Sequence, residues 1–200
     1  TLLQIGFAEL PTPGSSAHYD TIRAWLVDCD ENHTDPVCKP NANLVDSTLT
    51  IDDTSRTPTR LIDVGSEDGR FVKLKITQET ECLQWIALSY RWGDRPHFST
   101  TRANIQHHIQ GMKLIDLPEV FQDAISMTRG LGLRYLWIDA VCIIQGEDGD
   151  FATESKRMEN VYSGAYCVLA ASYSNSLRLF HTRKNRSYVA LNSDENHTDT

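Results

Sequence analysis

The sequence lacks any apolar run near the roughly 20 residues that a membrane-spanning helix needs, and it lacks an excess of basic charge. Its 200 residues carry a net charge of −8. That charge argues against general binding to nucleic acid or anionic membranes, because contact with phosphate requires a basic surface. The N-terminus has no basic-then-apolar signal pattern. We therefore expect a cytoplasmic protein whose partner is another protein or a small molecule.

The sequence also lacks the even, regular cysteine pattern of a secreted disulfide framework, since its five cysteines are irregularly spaced. Cys29, His33 and Cys38 have the chemistry of zinc ligands. Their C-x3-H-x4-C spacing, however, is not that of a standard finger, and no fourth ligand is evident nearby. The pattern predicts reduced, metal-free cysteines, with a zinc site as the alternative.

Two nucleotide-binding motifs are missing as well. The sequence contains neither G-x-G-x-x-G nor G-x-x-x-x-G-K-[ST], the glycine-rich loops that let backbone amides approach phosphates. Their absence argues against a Rossmann dehydrogenase and a P-loop NTPase.

What the sequence does contain is enough apolar residues, 40% of the total, to bury one compact core. We predict an N-terminal extension and linker over residues 1–58, with a short helix near residues 21–27. The compact domain is predicted over residues 59–183, followed by a C-terminal tail over residues 184–200.

Three apolar runs indicate buried strands: residues 85–90, 135–144 and 166–171. Helical patterns separate them, which predicts a βαβαβ core and therefore an α/β fold with a doubly wound, mainly parallel sheet. The runs 60–64 and 70–76 flank a glycine-bounded turn. They predict an N-terminal β-hairpin that adds a ribbon to the sheet edge.

Ligands bind doubly wound sheets beyond the carboxyl ends of the strands, and polar and aromatic residues gather there in this sequence. The candidate binding residues are Ser89, Tyr90, Arg91, Trp92, Asp139, Cys142 and Gln145. These segments contain no histidine, so a Ser-His-acid triad is not expected. Each residue also has a structural interpretation: Asp139 as a turn cap, Gln145 as a partner of loop amides, Cys142 as an inert thiol, and the two aromatic side chains as core or rim.

Glu154 is the candidate catalytic residue. In a helix beginning after Asp150, a plausible N-cap, Glu154 falls about 60° from Phe151, within the arc of apolar side chains. A carboxylate facing the sheet must be paired or used. One such carboxylate could stabilise positive charge on a ribosyl carbon while a glycosidic bond breaks. The alternative is a buried salt bridge with Arg91 or Arg134.

Four segments, WIALSYRWG, LPEVFQDAI, LGLRYLWIDAVCIIQ and ESKRMENVYSGAYCVLAAS, resemble the fungal heterokaryon-incompatibility (HET) domain in order and spacing. With PTRLIDVG and the RAWL-Cys29-His33-Cys38 stretch upstream, the resemblance spans residues 21 to 183. It implies a role in fungal non-self recognition, in which contact between incompatible strains triggers programmed cell death. The recognition partner would be a protein that the sequence does not identify.

The ALSYRWG stretch is also similar to the strand-and-loop opening of TIR domains, several of which cleave NAD+ with a glutamate on the helix after the third core strand. This similarity implies a TIR-like or flavodoxin-like fold, NAD+ or a related nucleotide as substrate without a separate cofactor, and self-association. Glu154 matches the catalytic position best, with Glu147 and Glu159 as alternatives. The acidic run at 147–150 would repel a pyrophosphate unless Arg91 and Arg95 offset it. A non-enzymatic signalling module is the competing hypothesis.

Overall fold

The computed structural model describes residues 11–33, 57–65, 69–78, 81–92, 98–171 and 178–180. Its helices are α1 (Ser16–Asn32), α2 (Ile105–Gln110), α3 (Glu119–Gly130), α4 (Asp139–Cys142), α5 (Phe151–Glu154) and α6 (Met158–Ser163). Its strands are β1 (Arg60–Asp63), β2 (Phe71–Ile76), β3 (Trp85–Ser89), β4 (Thr100–Thr101), β5 (Met112–Lys113), β6 (Tyr135–Trp137), β7 (Ile144–Gln145) and β8 (Cys167–Ala170). Short 3-10 turns span Leu114–Asp116 and Ser155–Arg157.

The fold is mixed α/β with a central sheet. Within the described residues, six strands pair in the order β5-β2-β1-β6-β3-β8. β3 lies between β6 and β8 and is parallel to both, which confirms the parallel arrangement predicted for the three apolar runs. The prediction that residues 166–171 form a buried strand was wrong, because β8 lies at the end of the strand order among the described residues. None of the four residues of β8 is buried, and Val168 is 42% exposed. β1 is antiparallel to β2 and to β6, and β2 is antiparallel to β5. The prediction of a mainly parallel sheet was therefore wrong. A two-stranded hairpin is antiparallel by construction, and this one joins the sheet with its first strand reversed relative to β6.

The hairpin itself was predicted, but its position within the sheet was not. Leu61 and Ile62 on β1 are 0% and 1% exposed, and β1 pairs with β2 along one edge and with β6 along the other. The hairpin thus forms part of the sheet interior rather than an edge ribbon. β5 extends the sheet beyond β2.

The core lies between the central strands and α3. Ile86, Ala87 and Leu88 on β3 are all fully buried, as expected for a strand covered on both faces. On α3 the predicted inward face, Phe121, Ala124, Ile125 and Thr128, is buried throughout. The Thr128 hydroxyl is satisfied within the helix by donating to Ala124 O at 2.8 Å.

The apolar run that was predicted as one strand over residues 135–144 divides into three elements. β6 ends at Trp137, α4 occupies Asp139–Cys142, and β7 pairs in parallel with β4. Apolar periodicity cannot separate a buried strand from a buried helical turn. The helical turn is held from outside the run, since Arg60 Nε donates to Cys142 O at 2.6 Å.

The N-terminal helix α1 is longer than the short helix predicted near residues 21–27, since it begins at Ser16 and ends at Asn32. Ser15 caps it, with Oγ accepting from His18 N at 3.2 Å. Tyr19 packs against α3 so closely that a Cβ at Gly130 would lie 2.7 Å from the tyrosine ring. Glycine is required there by the close approach of the two helices.

Candidate functional site

The loop after β3 and the start of α4 meet at the carboxyl ends of the central parallel strands. Ser89 is the last residue of β3 and Tyr90 to Trp92 follow it, while Asp139 comes two residues after the end of β6. Trp92 Nε1 donates to Asp139 Oδ2 at 2.8 Å. The structure thus brings together two of the segments that the sequence placed at one edge.

Asp139 is half-buried at the centre of this cluster. Its other carboxylate oxygen, Oδ1, accepts from the Ala140 amide at 2.7 Å, so the residue also caps its own turn. Two tyrosines lie near the carboxylate, Tyr90 from the β3 loop and Tyr162 from α6. Tyr162 Oη donates to Leu88 O at 3.3 Å. We call Tyr90, Trp92, Asp139 and Tyr162 the edge cluster.

The two tyrosines of the edge cluster remain protonated in neutral solution. Burial raises the pKa of Tyr162 to about 12, and the nearby negative charge of Asp139 adds to the shift. Burial, together with Asp139, also raises the pKa of Tyr90 far above its usual range. Both side chains therefore present hydroxyl groups rather than phenolates beside the carboxylate.

The remaining candidate binding residues, which lie near the edge cluster, differ in solvent exposure. Ser89 and Arg91 are exposed. Gln145 Nε2 donates to Ile143 O at 3.1 Å and to Asp139 O at 3.4 Å, so its amide supports the α4 turn. Cys142 is 1% exposed, and burial raises the pKa of its thiol to about 12. Such a thiol is inert at neutral pH, because the thiolate is the nucleophilic form.

Glu154 is buried, as its position on the helix predicted, with 7% of its surface exposed. Thr59 Oγ1 donates to Oε2 at 2.8 Å, and Arg157 Nη1 lies 3.5 Å from Oε1. The ion-pair partner is therefore Arg157 and not Arg91 or Arg134. Arg134 instead pairs with Asp63 at 2.9 Å.

The pairing of Glu154 with Arg157 follows from the local helix geometry. Residues 155–157 form a 3-10 turn, in which side chains three residues apart eclipse one another. The sequence prediction, made at α-helical spacing, set Phe151 and Glu154 within the same inward arc. In the structure Phe151 is 50% exposed and Val161 is 2% exposed. The inward direction is thus centred on Glu154 and Val161.

Glu154 lies at the same sheet edge as Asp139, but beyond a different strand. Thr59 precedes β1, which is antiparallel to β6, so the start of β1 lies at the carboxyl end of β6. Asp139 bonds to the loop after β3, on the other side of β6. Two strand spacings, about 10 Å, separate β1 from β3.

Comparison with known protein families places this site in context. Residues 85–200 match the family model described as heterokaryon incompatibility protein (HET), more than half of the chain. The chain belongs to the HET family. No curated protein and no solved structure matches it at a significant level.

In this HET-family chain the match contains the edge cluster and Glu154, whereas β1, β2 and α1 precede it. The resemblance noted from the sequence began earlier, at residue 21. Thr59, the hydrogen-bond partner of Glu154, thus comes from a segment outside the matched region.

Arg60 is a site-forming residue that sequence reasoning missed. It is 9% exposed, and its guanidinium pairs with Asp150 while Nε holds Cys142 O. Asp150 occupies the predicted N-cap position of α5, yet its side chain accepts from Ile144 N at 2.8 Å instead of capping the helix. The signal available in the sequence was an arginine directly before the apolar pair Leu61 and Ile62.

Tyr162 was also missed as a site residue, although it lay on the apolar arc of its helix. Its ring meets Trp137 edge-on with centroids 5.4 Å apart, which aims the hydroxyl at the end of β3. An aromatic residue at helical spacing is ordinarily core, so only the tertiary contact revealed its place beside Asp139.

Among the described residues, no three His, Cys, Asp or Glu side chains come together as metal ligands would. Cys38 and Arg95, which entered the sequence predictions, lie outside those residues. Within the same part of the chain, none of the helices has the length and apolar character needed to cross a bilayer.

Proposed function

We propose that this HET-family chain acts as a cell-death effector in fungal heterokaryon incompatibility and that it binds NAD+ or a related nucleotide at the carboxyl edge of its sheet. The proposed reaction is hydrolysis of the nicotinamide–ribose bond. The observation that carries the proposal is the pair of carboxylates, Asp139 and Glu154, at the carboxyl ends of the central strands. A TIR-like relationship belongs to the same proposal and rests on the ALSYRWG resemblance in the sequence.

In the proposed reaction the bond between the ribosyl carbon and the pyridinium nitrogen breaks, and both bonding electrons leave with nicotinamide. A water oxygen then bonds to the ribosyl carbon and releases one proton to solvent, giving ADP-ribose. Positive charge develops on the sugar as the bond breaks. Glu154 would stabilise that charge across the end of β6, after its contacts with Thr59 and Arg157 open.

The nucleotide would span from the edge cluster to Glu154. Asp139 and the tyrosine hydroxyls offer hydrogen-bond partners at one end, and Trp92 offers an aromatic side chain. The exposed guanidinium of Arg91 could offset the negative charge that the acidic 147–150 loop presents to a pyrophosphate.

The test is incubation of the concentrated protein with NAD+ and direct detection of nicotinamide, because we propose that the chain works as a self-associated assembly. Glu154→Gln should reduce turnover by about 100-fold or more, the usual scale for losing one electrostatic stabiliser. Glu159→Gln, on the exposed side of α6, is the matched control and should retain activity. Equal losses in both variants would refute the assignment of Glu154.

A second candidate function is a non-enzymatic module that signals by self-association. The observation that favours it is that both carboxylate oxygens of Glu154 have a partner, Thr59 for Oε2 and Arg157 for Oε1, as in a structural carboxylate. If the parent protein releases no nicotinamide when crowded, and cell death still follows its expression, the non-enzymatic candidate replaces the first.

A further inference from the structure

His108, on the short helix α2, is an ionisable side chain in the interior of the fold. It is 3% exposed, whereas its neighbour His107 is exposed. Its ring stacks on Phe98, with centroids 5.2 Å apart and an interplanar angle of 10°. Its Nδ1 lies 2.8 Å from the hydroxyl of Thr100, which is fully buried. Because histidine changes charge near neutral pH, the packing at this position is sensitive to protonation.

The surroundings of His108 favour the neutral ring. The Thr100 hydroxyl can either donate to Nδ1 or accept from it, so this hydrogen bond is compatible with both charge states. Burial is not, since it removes the charged ring from water. Burial therefore lowers the pKa of His108, and the adjacent base His107 lowers it further.

Within the described residues, no carboxylate forms an ion pair that would compensate a protonated His108. α2 packs against β2, β4 and β5. β4 has no charged residue, and the charged residues of the other two strands are cations: Lys73, Lys75 and Lys113. Behind Phe98, the carboxylates Glu119 and Asp123 of α3 are bonded to residues 178–180. A proton on His108 would thus place an uncompensated charge in the interior, which is costly.

Packed aromatic rings connect His108 to the edge cluster. Phe98 meets Phe121 of α3 edge-on, with centroids 6.5 Å apart, and Phe121 meets Tyr90 edge-on at 5.2 Å. β4 follows Phe98 in the chain and pairs in parallel with β7, which leads into the acidic 147–150 loop. A rearrangement at His108 can therefore reach the candidate site through direct contacts.

We propose that His108 is a pH-sensitive switch: when it takes up a proton, its ring leaves the contact with Phe98, and α2 and β4 open away from the sheet. The ring of Tyr90 then loses the support that Phe98 gives it through Phe121, so acidification loosens the edge cluster. This regulation goes beyond the proposed cleavage of NAD+ and does not depend on it.

The sign of the pH dependence follows from the lowered pKa. The closed arrangement has its full stability above the histidine pKa of the open state, about 6.5, and loses stability as the pH falls below that value. Each unit by which closure lowers the pKa should increase the opening equilibrium by up to about tenfold in acid.

Two measurements on the intact chain test the switch, and neither uses a nucleotide. NMR titration of the histidine ring signals gives the pKa of His108, which should lie below about 6.5. Hydrogen exchange of the α2 amides, corrected for the intrinsic exchange rate, gives the opening equilibrium at about pH 7 and about pH 5. Opening should increase in acid by the factor that the measured pKa predicts, and the NMR signals of the Tyr90 ring should change over the same pH range.

The variant His108→Asn keeps a hydrogen-bonding group for Thr100 but takes up no proton, so it should lose the pH response of α2. His108→Phe keeps the ring on Phe98 and replaces the asparagine variant if that variant does not fold. His107→Gln, on the exposed neighbour, is the matched control and should retain the response. A His108 pKa at or above 6.5, a response that persists without His108, or a Tyr90 ring unaffected by acid would each overturn the inference while leaving NAD+ cleavage standing.

Discussion

Replacing either member of the ion pair between Glu154 and Arg157 should lower the free energy of unfolding, but by clearly different amounts. The glutamate side chain is 9% exposed and the arginine side chain 25%, so the carboxylate is the more deeply buried member. Removing one partner of a buried pair leaves the other charge uncompensated, which costs far more than the pair itself contributes. Replacing Arg157 should therefore destabilise the protein more than replacing Glu154, because it leaves the more deeply buried charge without its partner.

Glu154→Gln leaves Arg157 with solvent access and with its hydrogen bond to Thr57 O at 3.2 Å. The glutamine oxygen still accepts from Thr59. We expect a loss of about 1 kcal/mol, in the range of partly exposed pairs. Arg157→Met leaves the buried carboxylate with Thr59 alone and should cost about 3 kcal/mol, the lower end for a broken buried pair at a separation of 3.5 Å.

Urea unfolding of the two single variants and the double variant measures these free energies. For a chain of 200 residues, each kcal/mol lowers Tm by about 2–4 °C, so the two single variants should differ by several degrees. The double variant should be more stable than Arg157→Met alone, because no charge remains buried. If Arg157→Met proves no more destabilising than Glu154→Gln, the carboxylate is not the buried member and the reasoning fails.

Three further predictions concern the surroundings of the site. Arg60→Met should cost about 3–5 kcal/mol of unfolding free energy, because it strands the Asp150 carboxylate and frees Cys142 O; a loss below 1 kcal/mol in urea unfolding would contradict the buried-pair assignment. Native protein at about pH 8.5 should be alkylated by iodoacetamide at exposed Cys82 but not at Cys142, whose pKa burial raises to about 12, until denaturant is added; mass spectrometry showing native modification at Cys142 would refute its burial. Gly149→Ala should lower the free energy of unfolding by several kcal/mol, since its Cβ would lie 2.2 Å from a backbone carbonyl oxygen. The control Gly132→Ala, with φ +81° but open space around it, should lower it by only about 1 kcal/mol. Equal losses in urea unfolding would contradict this account.

Local sequence patterns by themselves determined those strands and helices whose position follows from one buried face or one tight turn. The apolar run at β3, the inward face of α3 and the hairpin of β1 and β2 were predictable, because burial and turn chemistry act between near neighbours in the chain. The run at residues 166–171 predicted a strand but not its place at the sheet edge, where Val168 is 42% exposed. The burial of Glu154 was likewise predictable from its angle among apolar side chains. The family resemblance rested on the same local segments.

Only the tertiary structure decided the direction of β1, the division of residues 135–144 and the partners of each buried charge. Arg60 donates to Cys142 O, in the helical turn that divides this apolar run, from 82 positions away. Thr59 reaches Glu154 over 95 positions, and Trp92 reaches Asp139 over 47. A buried polar group forms a hydrogen bond with whichever partner the fold places within about 3 Å, however distant that partner is in the sequence. Sequence spacing carries no information about such distances, so it could predict that Glu154 is paired or used but not that Arg157 and Thr59 hold it.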